Sequence, residues 1–162
     1  MNFNNYPVMR RLRTNEPAPF GLLLLADEEM QAINRYIHQS EIYVAETDGK
    51  LVGVYVLFPV DEYMAEIKAI AVDPDYQNQG IGKFMLNHAG IEAQAKGFKE
   101  IIVGTPTIAE KQLNFYRRAG FVLFDVKKDF FIDYYTAPIF EDGVQLTDMA
   151  MLKKRLDGKT EI

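Results

Sequence analysis

Residues 66–83, EIKAIAVDPDYQNQGIGK, contain the transition on which the fold depends. The first part is mainly apolar, and a continuous apolar run of this length is typical of a strand that is covered on both faces. Pro74, between two aspartates, ends the strand because proline has no N–H for a ladder hydrogen bond. A glycine-rich turn at 77–82 then leads directly into a helical pattern. Unpaired backbone N–H groups and the positive end of the helix dipole favour phosphate binding at such a turn.

Two common phosphate-binding motifs do not fit this turn. A P-loop requires glycine five residues before its Gly-Lys pair and Ser or Thr after the lysine, whereas Gln77 and Phe84 occupy those positions. A dinucleotide-binding motif requires a third glycine three residues after Gly82, where this chain has Met85. The spacing that remains is Gln77-x-x-Gly80-x-Gly82, which on its own is also compatible with an ordinary turn.

A second motif lies downstream, in the sequence LNFYRRAGF at residues 113–121. Tyr116 is followed four residues later by Gly120 and Phe121. Together with the first motif, in this order and with a short strand between them, the pattern resembles motifs A and B of the GCN5-related N-acetyltransferases (GNAT). The resemblance covers about residues 42–126. The tail at 130–149 is further similar to a bacillary subgroup of small acetyltransferases, some of which are labelled indole-3-acetic acid acetyltransferases.

Hydrophobic periodicity and turn residues predict the remaining elements. Asp27 is a candidate cap for the second part of the first helix. A four-residue spacing of apolar residues predicts the buried stripe of the helix at 80–96, and residues 153–162 read as a frayed tail. Strands are predicted at 6–13, 42–47, 51–58, 64–72, 101–105, 121–127 and 144–152, and helices at 20–39, 80–96 and 107–119. The predicted stripe is Ile81, Met85, Ala89 and Ala93.

These elements predict an α+β fold with a mixed sheet and helices on both faces. The strand, helix and strand around the glycine-rich turn imply one parallel pairing. The resemblance implies a single-domain GNAT fold over 1–162, with a sheet of about six to seven strands. It places the CoA-binding core at about 64–121 and an acceptor-side or dimer-contact segment at 129–162.

The resemblance implies acetyl-CoA as the co-substrate, with no metal. The backbone of the turn would hold the pyrophosphate, and the end of the preceding strand would run beside the pantetheine arm. Many GNAT members carry an asparagine seven residues before the motif B tyrosine, but here that position is Ala109, with Thr107 as a possible replacement. The predicted cofactor-binding residues are Ile70, Ala71, Val72, Gln77, Asn78, Gln79, Gly80, Ile81, Gly82, Lys83, Thr107, Phe115 and Arg118.

Acetyl transfer to an amine requires a base that removes a proton from the nucleophile, since a free alkyl amine has a pKa of about 10 by analogy with lysine. Glu66 lies eleven residues before Gln77, where histone-acetylating GNAT members place their catalytic glutamate. The alternative role of Glu66 is a solvated edge carboxylate paired with Lys68. Tyr116 is the predicted general acid for the departing thiolate. Its alternative role is a core aromatic residue beside Phe115.

The acceptor implied by the resemblance is a primary amine of a small molecule or peptide, acetylated directly in a ternary complex. Asp129, Tyr134 and Tyr135 are candidates for the acceptor pocket, and aromatic loops of this kind also serve as packing or dimer contacts. Two other functional classes stay open: an acetyl-CoA-binding regulatory module without turnover, and a structural protein that binds a partner through its aromatic tail.

Composition sets the remaining expectations. The chain has 162 residues, enough for one domain with a sizeable core. It has no cysteine, which excludes disulfides, thiolate metal sites and a cysteine-bound acyl intermediate. A net charge of -5 argues against general nucleic-acid binding. No apolar run is long enough for a membrane span, and no secretion signal is recognisable, so we expect a cytoplasmic monomer or homodimer without a membrane partner.

Overall fold

The computed structural model describes residues 6–156, and a seven-stranded mixed sheet forms their centre. The strands are β1 (Val8–Arg11), β2 (Glu41–Thr47), β3 (Lys50–Pro59), β4 (Met64–Val72), β5 (Glu100–Pro106), β6 (Val122–Lys127), β7 (Phe140–Glu141), β8 (Val144–Gln145) and β9 (Met149–Arg155). The order across the sheet is β1-β2-β3-β4-β5-β9-β6, and β7 pairs with β8 in a separate hairpin. Within the large sheet only β4 and β5 run parallel, as the strand, helix and strand predicted.

Helices cover both faces of the sheet, which confirms the predicted fold class. The helices are α1 (Phe20–Ala26), α2 (Met30–Asn34), α3 (Ile81–Ala95), α4 (Glu110–Arg118) and α5 (Phe130–Asp133). Residues of α1 and α2 share one core with alternate residues of β2, β3 and β4. Residues of α3 and α4 share the other core, in which all four residues of the predicted stripe are buried. No helix in the described range is long and apolar enough to cross a bilayer.

The prediction of one helix over 20–39 is wrong. The structure divides this segment into α1, α2 and a short 3-10 helix at Ile37–Gln39, because Asp27 and Glu29 have extended backbone angles. Asp27 does not cap α2, whose N-cap residue is Glu29 and which has no side-chain cap. The Asp27 carboxylate instead accepts hydrogen bonds from the hydroxyls of Tyr36 and Tyr135. A long-range contact therefore overrides a local capping signal.

The predicted last strand is also partly wrong. Only residues 149–155 form β9, while 144–145 belong to the small hairpin. Residues 153–155 are not a frayed tail, because β9 lies between β5 and β6 and pairs with both up to Lys153 or beyond. Leu152 is fully buried in the α3 core. The rest of the predicted tail, 157–162, lies outside the described residues.

The pairing of β4 creates the opening in which the site lies. β4 pairs with β3 from Ala65 to Val72, but with β5 only from Met64 to Ile67. A bulge places Lys68 between the residues that face Val56 and Leu57 of β3. Bulges increase the local twist and redirect side chains. Because the pairing with β5 ends at Ile67, the edge of β4 that faces β5 is open beyond that residue.

Candidate active site

The turn between β4 and α3 presents backbone N–H groups, as the sequence predicts. Asn78 and Gly80 have positive φ angles of 63° and 84°, and Gly80 is the N-cap residue of α3, with no side-chain cap. The side chain of Gln77 donates from Nε2 to the carbonyl of Val72 at 3.0 Å, which fastens the turn to the end of β4. The first N–H groups of this 15-residue helix thus lack a side-chain partner and suit an anion.

A cavity of about 490 Å³, here called the outer groove, extends from this turn along the open edge of β4 to α4. Gly82 lies in its wall, and a Cβ atom there would lie 3.6 Å from Cζ of Phe115. Four further residues line the groove that the sequence did not predict as cofactor-binding: Leu25, Tyr76, Lys111 and Gln112. The predicted cofactor residues that line the groove are Ile70, Ala71, Val72, Gln77, Asn78, Gly80, Ile81, Gly82, Lys83 and Phe115.

Three predicted cofactor residues do not line the outer groove. Gln79 is exposed in the turn but lies outside the lining. Thr107 is half-buried before α4, and its N–H donates to the carbonyl of Asp148 at 3.1 Å. Arg118 is exposed at the C-terminal end of α4 and lies outside the lining of the groove. The structure therefore offers no support for cofactor contacts by these side chains.

A second cavity, here called the inner pocket, has a volume of about 390 Å³ and lies between the end of α1, β4, the end of β5 and the aromatic segment of α5. Glu66 and Tyr116 both line it, so the structure brings the two predicted catalytic residues to one space. Tyr134 and Tyr135 line it too, as expected. Asp129 does not; it is the N-cap residue of α5, and its N–H donates to the Asp148 side chain.

Glu66 lies one residue before the point where β4 and β5 separate. Its side chain is only 13% exposed, and its Oε1 is 3.2 Å from Nζ of Lys68. The ion pair with Lys68 that the alternative role of Glu66 predicts is thus present. The carboxylate is mostly buried, however, and is not a solvated edge group. Glu66 and Lys68 are two residues apart in β4, so their side chains lie on the same face of the strand, and both line the pocket.

Tyr116 forms part of the wall between the two cavities. Its ring packs in the α3 core, 5.2 Å from the ring of Phe115 and 5.8 Å from that of Phe121 between centroids. Burial raises the pKa of its hydroxyl well above the ordinary value. The hydroxyl has no hydrogen-bond partner within the described part of the chain. Its oxygen is nevertheless not fully buried, so it can be reached from a cavity. The core role and a role at the cavities are therefore compatible.

The inner pocket is acidic. Asp27, Glu28, Glu66 and Glu141 line it, against only Lys68 and Lys127. Burial raises the pKa of Asp27, although two tyrosine hydroxyls donate to its carboxylate at 2.5 and 3.3 Å. Burial, followed by the charges of Glu141 and Asp27, also raises the pKa of Glu28. A cation placed among these carboxylates would reduce their mutual repulsion.

The chain is similar in sequence to proteins of one known family. Residues 38–123, more than half of the chain, match the family model for an acetyltransferase (GNAT) domain. The chain belongs to the GNAT acetyltransferase family. Its GNAT relatives include the uncharacterized N-acetyltransferase YvbK of Bacillus subtilis strain 168, which is 34% identical over 94% of this chain and 97% of its own length.

Two solved acetyltransferase structures extend the similarity to more than nine tenths of the chain. A GNAT family acetyltransferase from Elizabethkingia anophelis with acetyl-CoA bound is 38% identical, with a TM-score of 0.90 over 94% of this chain and 99% of that one. The IAA acetyltransferase from Bacillus cereus ATCC 14579 is 36% identical, with a TM-score of 0.85 over 91% and 98% of the two chains. The predicted GNAT fold and its bacillary subgroup are thereby confirmed.

Proposed function

We propose that this acetyltransferase moves the acetyl group of acetyl-CoA directly to a primary amine of a small molecule or peptide. The observation that carries the proposal is the common wall of the outer groove and the inner pocket, formed in part by Tyr116, with Glu66 on the pocket side. Acetyl-CoA bound in the Elizabethkingia relative supports the choice of co-substrate. The CoA-binding core would then be residues 64–121, as the sequence predicts.

The outer groove matches the parts of acetyl-CoA in order. The N–H groups at the start of α3 would bind the pyrophosphate, with Lys83 beside them. The pantetheine arm would pair with the open edge of β4 at Ile70, Ala71 and Val72. Successive N–H groups of a strand point to opposite sides, so one of Ile70 and Ala71 presents its N–H to the open edge. That N–H would stabilise the oxyanion of the tetrahedral intermediate.

Glu66 and Tyr116 would then handle the two protons of the reaction. The nucleophile is the neutral amine, so an ammonium acceptor first loses one proton to solvent. The Glu66 carboxylate would accept the second proton, which the nitrogen loses as the amide forms, and proton exchange with solvent would restore both Glu66 and Tyr116 after the reaction. The amine nitrogen bonds to the thioester carbon, the carbon–sulfur bond breaks, and the Tyr116 hydroxyl donates a proton to the departing thiolate. The ordinary pKa of a tyrosine is about 10 and burial raises that of Tyr116 further, so this hydroxyl carries a proton at neutral pH.

The charge of the inner pocket supports a cationic acceptor. Four carboxylates against two ammonium groups attract an amine in its protonated form and disfavour an organic acid. Phe130 and Tyr134, whose rings stack on each other at 4.7 Å between centroids, add apolar surface to the pocket.

A panel of amines, assayed by thiol release and by mass spectrometry of the product, tests the proposal. We expect CoA release that depends on an amine, and little or none with carboxylic acids. Isothermal titration must also show acetyl-CoA binding. Tight binding without turnover on any amine would contradict the proposal and favour the regulatory module. Absence of acetyl-CoA binding would contradict both and favour the structural, partner-binding class.

A further inference from the structure

One carboxamide side chain, that of Gln112, lies where the outer groove and the inner pocket meet. Only Leu25, Ile70, Gln112 and Tyr116 line both cavities among the described residues. Gln112 is exposed, and its side chain makes no hydrogen bond or ion pair with any part of residues 6–156. A carboxamide offers two donor hydrogens and an acceptor oxygen without a charge. Its hydrogen-bonding capacity is thus available to a bound molecule.

The position of Gln112 on α4 directs it toward the transfer point. Gln112 precedes Tyr116 by four residues, so both lie on one face of the helix, one turn apart. Ala109 is buried at the N-cap of α4 and lines neither cavity, and Thr107 lines neither as well. The carboxamide at this wall is therefore that of Gln112, a residue within α4, and does not come from the segment that precedes the helix.

We propose that Gln112 binds an amide of the pantetheine arm on the side opposite β4. This inference rests on the proposed function. An amide of the arm carries one N–H and one carbonyl, which match the two halves of the Gln112 carboxamide. The other carboxamides in the groove, Gln77 and Asn78, lie at the turn, and Gln77 already donates to the Val72 carbonyl. Gln112 is thus the described carboxamide that reaches the arm near the thioester.

The test compares Gln112→Ala with Asn114→Ala. Asn114 is an exposed carboxamide two residues away on the opposite face of α4, and it lines neither cavity. Each variant is titrated calorimetrically with CoA and with 3′-phospho-ADP, which is the nucleotide part of CoA without the arm, and the KM of the amine is measured for each. We expect Q112A to raise the Kd for CoA roughly fivefold, as for one lost hydrogen bond, and to leave the Kd for 3′-phospho-ADP unchanged. Asn114→Ala should change neither, and Gln112→Asn should lose less than Q112A.

Several outcomes would overturn the inference. These are an unchanged CoA affinity in Q112A, equal weakening of CoA and 3′-phospho-ADP, and an effect confined to the KM of the amine. The last result would make Gln112 an acceptor contact. A wild-type protein that binds no CoA would overturn the proposed function itself, and the wild-type titration separates that failure from a failure of Gln112 alone.

Discussion

The outer groove and the inner pocket share a wall but are built in different ways. The groove is formed mostly by residues 70–83 and one face of α4, so most of it comes from one short segment of the chain. The pocket combines residues from α1, β4, β5, α4, β6, α5 and the small hairpin, and charged and aromatic side chains dominate it. A ligand common to a family fits the first kind of site, whereas a pocket made of side chains from many elements can change its acceptor without changing the fold.

Replacement of Glu66 should affect the pocket far more than the groove. Glu66→Gln is nearly isosteric and removes only the proton-accepting carboxylate. Because general-base catalysis contributes about 10²–10⁴-fold, kcat/KM should fall by about that factor at neutral pH. Steady-state rates at higher pH should recover in part, since more of the amine is already deprotonated, while the Kd for acetyl-CoA should hardly change. Wild-type turnover with an unaltered pH profile would show that Glu66 is not the base.

Tyr116 belongs to both regions, so its replacement tests whether the shared wall is chemically active. Tyr116→Phe keeps the ring in the core and removes the hydroxyl. We expect turnover to fall about tenfold to a hundredfold, at the low end for a general acid because a thiolate is a good leaving group. The KM for acetyl-CoA should rise much less.

The raised pKa of Tyr116 also fixes the direction of a pH effect. A group with a raised pKa keeps its proton to higher pH, so the wild-type rate should not decline between about pH 7 and pH 10 through loss of this proton. Intact turnover in the phenylalanine variant would make Tyr116 a packing residue.

Gly82 tests the groove alone. In Gly82→Val the added side chain would meet Phe115 and Val72 and extend into the space of the cofactor. We expect the valine methyl groups to displace cofactor contacts, so that the Kd for CoA rises about tenfold to a hundredfold, which corresponds to about 1.4–2.8 kcal/mol of binding free energy. Gly90→Val is the matched control, because Gly90 lies in the same helix, its Cβ would meet Leu156 at 3.7 Å, and it lines neither cavity. A folded Gly82→Val protein with unchanged CoA affinity would refute the assignment of the turn.

Glu141 tests the acidic character of the pocket and should give the smallest effect. Exposed charge interactions are worth about 0.2–1 kcal/mol, so Glu141→Gln should raise the KM of a cationic amine about two- to fivefold. The Kd for CoA should stay the same, and the exposed Glu62→Gln, outside both cavities, should change neither value. An unchanged KM in the Glu141 variant would mean that the pocket charge does not select the acceptor.

The same contrast explains what could be predicted from the sequence. The residues of the groove could be predicted because they are close together in sequence. The apolar strand, Gly80 and Gly82 follow one another, and their conformations depend mainly on their immediate neighbours. The prediction of one helix over 20–39 is wrong because the backbone is extended at Asp27 and Glu29, and the capping role of Asp27 is wrong because its carboxylate binds the hydroxyls of Tyr36 and of the distant Tyr135. Gln112 had a usable signal, its four-residue spacing from Tyr116, whereas Leu25 and Glu141 reach their cavities only through tertiary packing.

The central claim is that the acetyl group passes directly from a cofactor in the groove to an amine in the pocket, across the wall that holds Tyr116. Initial rates over a grid of acetyl-CoA and amine concentrations test this claim most directly. Direct transfer in a ternary complex predicts double-reciprocal lines that intersect. Parallel lines, together with a burst of CoA release before the amine is added, would indicate an acyl-enzyme and contradict the account.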